Sequence, residues 1–297
     1  MTPQLISLIG AVVVVVTLAL TRRVWAPAIV HAIPSVWRIA KITVAEARRR
    51  RVLQAVVVLV VLILFSMTFF SYLSPGEQSR MLINGGLSAI TVFGILLAIF
   101  LAAFLIPQEL ETRTVYAILA KPVKRFEFVL GKYVGALIIL AIIVAVMTAV
   151  LVLVLVIQDA MVKDLPDSTF NPNLEGVLFA ALMNYFAIAV LTGLIMLIST
   201  VSSTTMTVIS SFIIWAVGSL QSTIHDLAEH ADTAATKLLL QVLYVVVPKL
   251  ENFDFRNEVS NYLHVSYMSG WDALLQGLGY TIVVLILASI FFNDRQV

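Results

Sequence analysis

His225, Asp226, Glu229 and His230 stand four residues apart in pairs, the spacing at which helical side chains share a face. Imidazole with carboxylate suits zinc or copper(II). The set His225, Glu229 and His230 is therefore a weak metal candidate. Two histidines in six residues that follow an apolar run also read as a solvated polar stretch. Other chemistry is excluded more firmly. There is no cysteine, so disulfides, thiolate metal sites and cysteine nucleophiles are ruled out. No HExxH or GxSxG signature occurs. Gly131-Lys132 is followed by Tyr133 and lacks the upstream glycine of a phosphate-cradling loop, so the chain has no nucleotide motif of its own.

The richest cluster of charges is the stretch 107–132, PQELETRTVYAILAKPVKRFEFVLGK. Glu109 and Arg113 are an i,i+4 pair, and Glu111, Thr114 and Leu119 lie in the same short run. The pattern predicts a helix over 108–120, broken at Lys121-Pro122. Pro122 suits the first turn of a following helix. That helix is expected to continue past Arg125 and Phe126 to residue 157. It would be about 50 Å long, against a hydrocarbon core of about 30 Å. Such a helix is a lever that projects from a membrane and ends in a compact elbow; the alternative is an ordinary charged connector.

The elements that must position these residues are apolar. Of 297 residues, 61% are hydrophobic and 12% charged, where soluble domains carry about 25% charged. Seven runs reach or approach the roughly 20 apolar residues a spanning helix needs: 3–20, 52–70, 85–106, 133–157, 176–198, 206–221 and 273–292. None contains Asp, Glu, Lys, Arg or His, and none alternates as barrel strands do. The first run has no basic n-region and no small-x-small site near its end, so it is expected to be a retained helix rather than a signal peptide. The segments 21–51, 107–132 and 293–297 hold 14 of the 19 Lys/Arg and only 5 of the 17 Asp/Glu. The positive-inside rule puts these segments in the cytoplasm, the N-terminus outside and the C-terminus inside. The apolar stretch 237–247 is about half the spanning length and ends at Pro248, which fits a re-entrant or interfacial helix on the outer side.

Residues 34–51 read as an amphipathic helix lying on the cytoplasmic face. Ile33, Val36, Trp37, Ala40, Val44 and Ala47 recur at helical spacing, opposite Arg38, Lys41 and Arg48, and the helix runs into Arg48-Arg49-Arg50-Arg51. A basic face beside Trp suits a membrane interface. Orientation signal, lipid anchor and partner-binding element all remain open. Inside the spans, Ser and Thr are expected to bond their own helix or a neighbour, and Asn184 either lines a pathway or ties two helices.

The pattern Glu109, Arg113-Thr114, Leu119, Lys121-Pro122-Val123, Arg125-Phe126-Glu127-Phe128 and Gly131-Lys132 resembles the first cytoplasmic loop of type 2 ABC exporter permeases. The run Val247-Pro248-Lys249-Leu250-Glu251-Asn252-Phe253-Asp254-Phe255-Arg256 resembles a sub-branch that includes permeases of nitrous oxide reductase maturation. The resemblance implies an all-α polytopic fold: a six-helix permease bundle over 34–297, with an elbow helix at 34–51, a coupling loop at 107–132 and an outer re-entrant region within 225–270. The helix and linker of 1–33 are an addition to that pattern. The implied protein is the inner-membrane subunit of an ATP-driven exporter. Glu109, Glu111, Arg113, Thr114, Leu119, Lys121, Pro122, Arg125 and Phe126 would form the interface with a separate ATPase. The chain itself would bind no cofactor; ATP and Mg would sit on two ATPase copies, beside a second permease chain that is either identical or related. The lipid bilayer and an extracytoplasmic protein are further expected partners, and nucleic acid is not. Two other readings stand beside export. One is a mechanical transmitter or anchor acting on extracytoplasmic proteins. The other is an ion-coupled secondary transporter, disfavoured because the spans lack ionisable residues.

Overall fold

The structure, a computed structural model, describes residues 22–49, 51–71, 78–105, 124–162, 173–230, 236, 240, 244, 247–261, 263 and 267–294. Among them the secondary structure is helical, without strand. The elements are α1 (Arg22–Arg48), α2 (Arg51–Ser71), α3 (Gln78–Leu105), α4 (Arg125–Val162), α5 (Leu174–Val201), α6 (Thr204–Ser219), α7 (Gln221–Glu229), a 3₁₀ turn (Leu250–Phe253), α8 (Arg256–Ser260) and α9 (Tyr267–Asp294). A bilayer supplies no partners for backbone N–H and C=O groups, so long apolar runs satisfy them internally as helix. Among the described residues, α3, α4, α5 and α9 are long and apolar enough to cross a membrane. Gln54–Met67 within α2 and Thr204–Ser219 are shorter apolar helices. Thr148, Thr192 and Thr281 donate to the carbonyls of Val144, Ile188 and Gly277 at 2.8, 2.7 and 2.8 Å, which keeps each hydroxyl satisfied within its own helix.

Side-chain register fixes the direction of each helix. Gly86 packs on Leu151 and Gly94 on Val144, so α3 and α4 are antiparallel. Tyr133 reaches Ala189 and Tyr185 reaches Leu137, so α4 and α5 are antiparallel. Asn184 meets Thr91 and Ile188 meets Gly94, so α3 and α5 are parallel. Gly270 lies near Met183, Gly277 on Val190 and Gly193 near Thr281, so α9 also runs parallel to α5. The bundle therefore has an Arg125 end, where α4 begins and α9 finishes, and an opposite end where α3, α5 and α9 begin.

Two expectations change in detail. The basic amphipathic helix starts at Arg22 rather than at residue 34, because Pro34 removes one backbone donor without ending the helix; it stops at Arg48, and α2 starts afresh at Arg51. The run 206–221 is not one helix. Leu220 leaves helical geometry (φ −120°, ψ 28°), and Gln221 opens α7 instead, its amide donating to Val247 O at 2.7 Å. The first apolar run, 3–20, lies outside the described residues. Of 237–247, Leu240 and Tyr244 are helical and Val247 is buried; its other residues lie outside the described set.

Candidate functional site

At the Arg125 end, three helices are locked together around the start of α4. Among the described residues the most extensive helix pairing is α1 with α4. Its contact line is built from small residues. A Cβ on Gly131 would lie 2.6 Å from Ile39 Cβ, and one on Gly135 would lie 2.7 Å from Thr43 Cβ and 3.1 Å from Ala40 O. Glycine at both positions lets the backbones touch, as small-xxx-small seams do in membranes. Equal steps of four on both helices mean that α1 and α4 run side by side in the same direction, at least over this turn. Ala40, Thr43 and Ala47 are buried in the seam.

An ion pair crosses the seam. Lys132 Nζ lies 3.6 Å from Glu46 Oε2 and 5.9 Å from the centre of the Phe128 ring. On the other side of α4, Phe128 stacks on Phe292 with centroids 5.5 Å apart, and Arg125 donates to the Phe292 carbonyl at 3.3 Å. Phe126 is half-buried under Lys124. From this anchored foot, α4 continues unbroken for 38 residues, about 57 Å.

The opposite end is closed by the segment 247–261. Arg256 forks onto both carboxylate oxygens of Asp254, with Nε to Oδ1 at 2.7 Å, and its Nη1 donates to Ser88 Oγ of α3 at 2.8 Å. The Asp254 carboxylate holds the guanidinium above its ordinary pKa, outweighing partial burial. Phe253 sits over Gly277 of α9, and Phe255 meets Phe179 of α5 edge-on at 5.2 Å. Glu251 accepts from Ser222 N and Oγ at 2.9 and 2.8 Å, satisfying a free donor in the first turn of α7. This segment thus touches α3, α5, α6 and α9 at once.

Between the two ends, the buried Asn184 amide of α5 donates to Thr91 Oγ1 of α3, and Thr91 in turn donates to Leu87 O at 2.8 Å.

The described bundle is all-helical, with several helices of membrane-spanning length. Residues 37–297 match the family described as ABC-2 family transporter protein. The chain belongs to that family. It is a multi-pass membrane protein, a transmembrane subunit of an ABC transporter, and the α1–α9 bundle falls almost wholly within the match. ABC-2 permeases usually work with an ATPase subunit. No curated protein matches the chain.

Arg125 and Phe126 are at the foot of α4, as described. Glu109, Glu111, Arg113, Thr114, Leu119, Lys121 and Pro122 lie outside the described residues. Trp37, Arg38, Lys41, Arg48 and Arg49 are exposed on α1; Arg51 opens α2, and Arg50 lies outside the described set. His225 and Glu229 belong to α7, but their side chains are not among those described. His230 is exposed, with Nδ1 2.8 Å from Asp226 O. Among the described residues no group of three or more His, Cys, Asp or Glu could hold a metal. Sequence reasoning missed the Glu46–Lys132 pair, the Arg256–Ser88 contact and the Thr91 partner of Asn184. It also missed the seam, although Gly131-x-x-x-Gly135 was readable as a small-residue repeat.

Proposed function

We propose that this permease is the membrane half of an ATP-driven exporter, and that α4 is the lever through which an ATPase moves it. The observation that carries the reading is the foot of α4. The helix emerges directly from the 107–132 loop, is fixed there to α1 by glycine contact and to α9 by ring stacking, and then runs about 57 Å to the far end. A push on the loop would therefore move α1, α4 and α9 as one unit. The positive-inside charge count puts the Arg125 end in the cytoplasm of an inner-membrane protein. The parallel course of α5 and α9 agrees with a single intervening crossing by α6, and with a return of 220–266 to the outer side. Together with α2, α3 and α4 that makes six crossings, plus the added N-terminal run.

The residues Glu109, Glu111, Arg113, Thr114, Leu119, Lys121 and Pro122 would form the docking surface, with ATP and Mg held by two ATPase copies and a second permease chain completing the assembly. The test is isolation of the full chain from its native membrane. Recovery with an ABC ATPase, lost when 108–120 is replaced by a polar linker of equal length, supports the reading. Recovery without any ATPase overturns it. If hydrolysis is then stimulated only by an extracytoplasmic protein and by no small substrate, transmission of force replaces export.

A further inference from the structure

The apolar runs carry no charged residue, yet the segment 247–261 brings an ion pair to their depth. Lys132 is the last charge before the uncharged stretch 133–157 of α4. Gly86 packs on Leu151, nineteen residues past Lys132 and so about 28 Å along α4. A hydrocarbon core of about 30 Å that begins at Lys132 therefore ends near the level of Gly85. The uncharged run 85–106 of α3 starts at the same place. Ser88 lies about 5 Å inside that border and Thr91 about 9 Å inside it. Any tilt of the helices puts both deeper. Arg256 Nη1 donates to Ser88 Oγ at 2.8 Å, so the guanidinium reaches this depth with the Asp254 carboxylate forked onto it.

The pair is not sealed, since 30% of the Arg256 side chain and 32% of the Asp254 side chain are exposed. Contact with hydrocarbon makes such a pair expensive, whereas water or a polar solute solvates it. The polar surface continues along one face of α3. Asn84, one turn outward from Ser88, is exposed, and Ser88 and Thr91 are half-buried. The strip ends where Asn184 closes on Thr91. Its chemistry is net neutral. Of five guanidinium hydrogens, those on Nε and one on Nη2 go to Asp254 and one on Nη1 goes to Ser88, which leaves one on each terminal nitrogen. Asp254 cancels the charge and sets acceptor oxygens beside those donors. The Asn84 amide adds donors and an acceptor. Donors and acceptors side by side without net charge suit a hydroxyl or an amide. A bare anion is repelled by Asp254, a bare cation by Arg256, and an acyl chain leaves the polar atoms unpaired.

We infer that Asn84, Ser88, Asp254 and Arg256 line a water-filled recess, open to the outer side, that receives an uncharged hydrogen-bonding group of the exported solute. The role of the recess rests on the export reading. The recess itself is measured on the permease alone, so its failure is separable from a failure to recover an ATPase.

The chain has no cysteine, so single cysteines report on the recess directly. Full-length Ser88→Cys and Leu182→Cys in right-side-out membrane vesicles are treated with two impermeant methanethiosulfonates, one cationic and one anionic. Leu182 is 50% exposed on α5 and level with Ser88, because Asn184 meets Thr91 and Ile188 meets Gly94. Ser88→Cys should react at least about tenfold faster than Leu182→Cys, because a charged reagent is excluded from hydrocarbon. The two reagents should react with it at equal rates. Adding Arg256→Gln leaves Asp254 unpaired and should favour the cationic reagent about fivefold, the effect of a unit charge about 4 Å away in water. Adding Arg256→Lys should keep the rates equal, which separates charge from folding. Excess sorbitol should slow the labelling of Ser88→Cys, and excess hexanoate should not. Equal labelling of Ser88→Cys and Leu182→Cys, or no labelling of Ser88→Cys, would overturn the recess. A charge preference with Arg256 and Asp254 both intact, labelling indifferent to sorbitol, or labelling slowed as much by hexanoate would overturn the assigned solute chemistry.

Discussion

Lys132 is 1% exposed and reaches across the α1–α4 seam to Glu46, 3.6 Å away and 37% exposed. A cation buried at the foot of a membrane helix faces a desolvation cost that a carboxylate on the adjoining helix offsets. The partially exposed glutamate keeps the net gain small. A double-mutant cycle with Glu46→Gln and Lys132→Gln should give a coupling of about 1 kcal/mol, read from thermal unfolding in detergent. Strict additivity would mean that the pair contributes nothing to joining the two helices.

The seam itself should be less forgiving than the ion pair. Gly135→Leu forces Thr43 and the Ala40 carbonyl away from α4. Overpacking of this kind costs about 1–3 kcal/mol. The same substitution at Gly279, which has nothing within 4 Å of a built Cβ, should cost far less. Equal melting points for the two variants would show that α1 and α4 are not in backbone contact.

At the far end, Arg256 should matter more than its hydroxyl partner. Arg256→Ala removes the fork to Asp254 and the contact to α3 together; Ser88→Ala removes only the second. Hydrogen exchange over 247–261 should speed up strongly in the first variant and slightly in the second, while 125–140 stays unchanged. Exchange that is indifferent to Arg256→Ala would mean that the apolar contacts of Phe253 and Phe255 alone hold the segment.

In the middle of the bundle, Asn184→Leu removes an interhelical hydrogen bond and leaves Thr91 bonded to Leu87 O. Such bonds contribute about 0.6–1.7 kcal/mol in membranes. The loss should be largely absent when Thr91 is already valine. A similar loss in that background would point to a different role for the amide, such as facing a transport path.

The sequence exposed the long helices and their charge asymmetry because membrane burial demands long uncharged runs, and those survive any detail of packing. The lever was legible for the same reason: nothing between Arg125 and Val162 breaks a helix. What stayed hidden depends on which faces meet. Ile33, Val36, Trp37, Ala40, Val44 and Ala47 read as one apolar face at helical spacing, yet the glycines of α4 meet Ile39, Thr43 and the carbonyls of Val36 and Ala40, which buries Ala40 and Ala47 and leaves Ile33 and Trp37 exposed. The run at Val247–Arg256 is mixed and short, with no period to read. Its order comes from the fork of Arg256 onto Asp254 and from rings seated on α5 and α9, contacts that join residues up to 168 positions apart.

The central claim is that force enters through the 107–132 loop and travels along α4. It is tested most directly by the ATP hydrolysis rate of the reconstituted permease–ATPase complex with Glu109→Lys and Arg113→Glu together. The account predicts an assembled bundle of unchanged melting point whose stimulation of the ATPase falls at least tenfold (about 1.4 kcal/mol of coupling). Full stimulation with both charges reversed would contradict it.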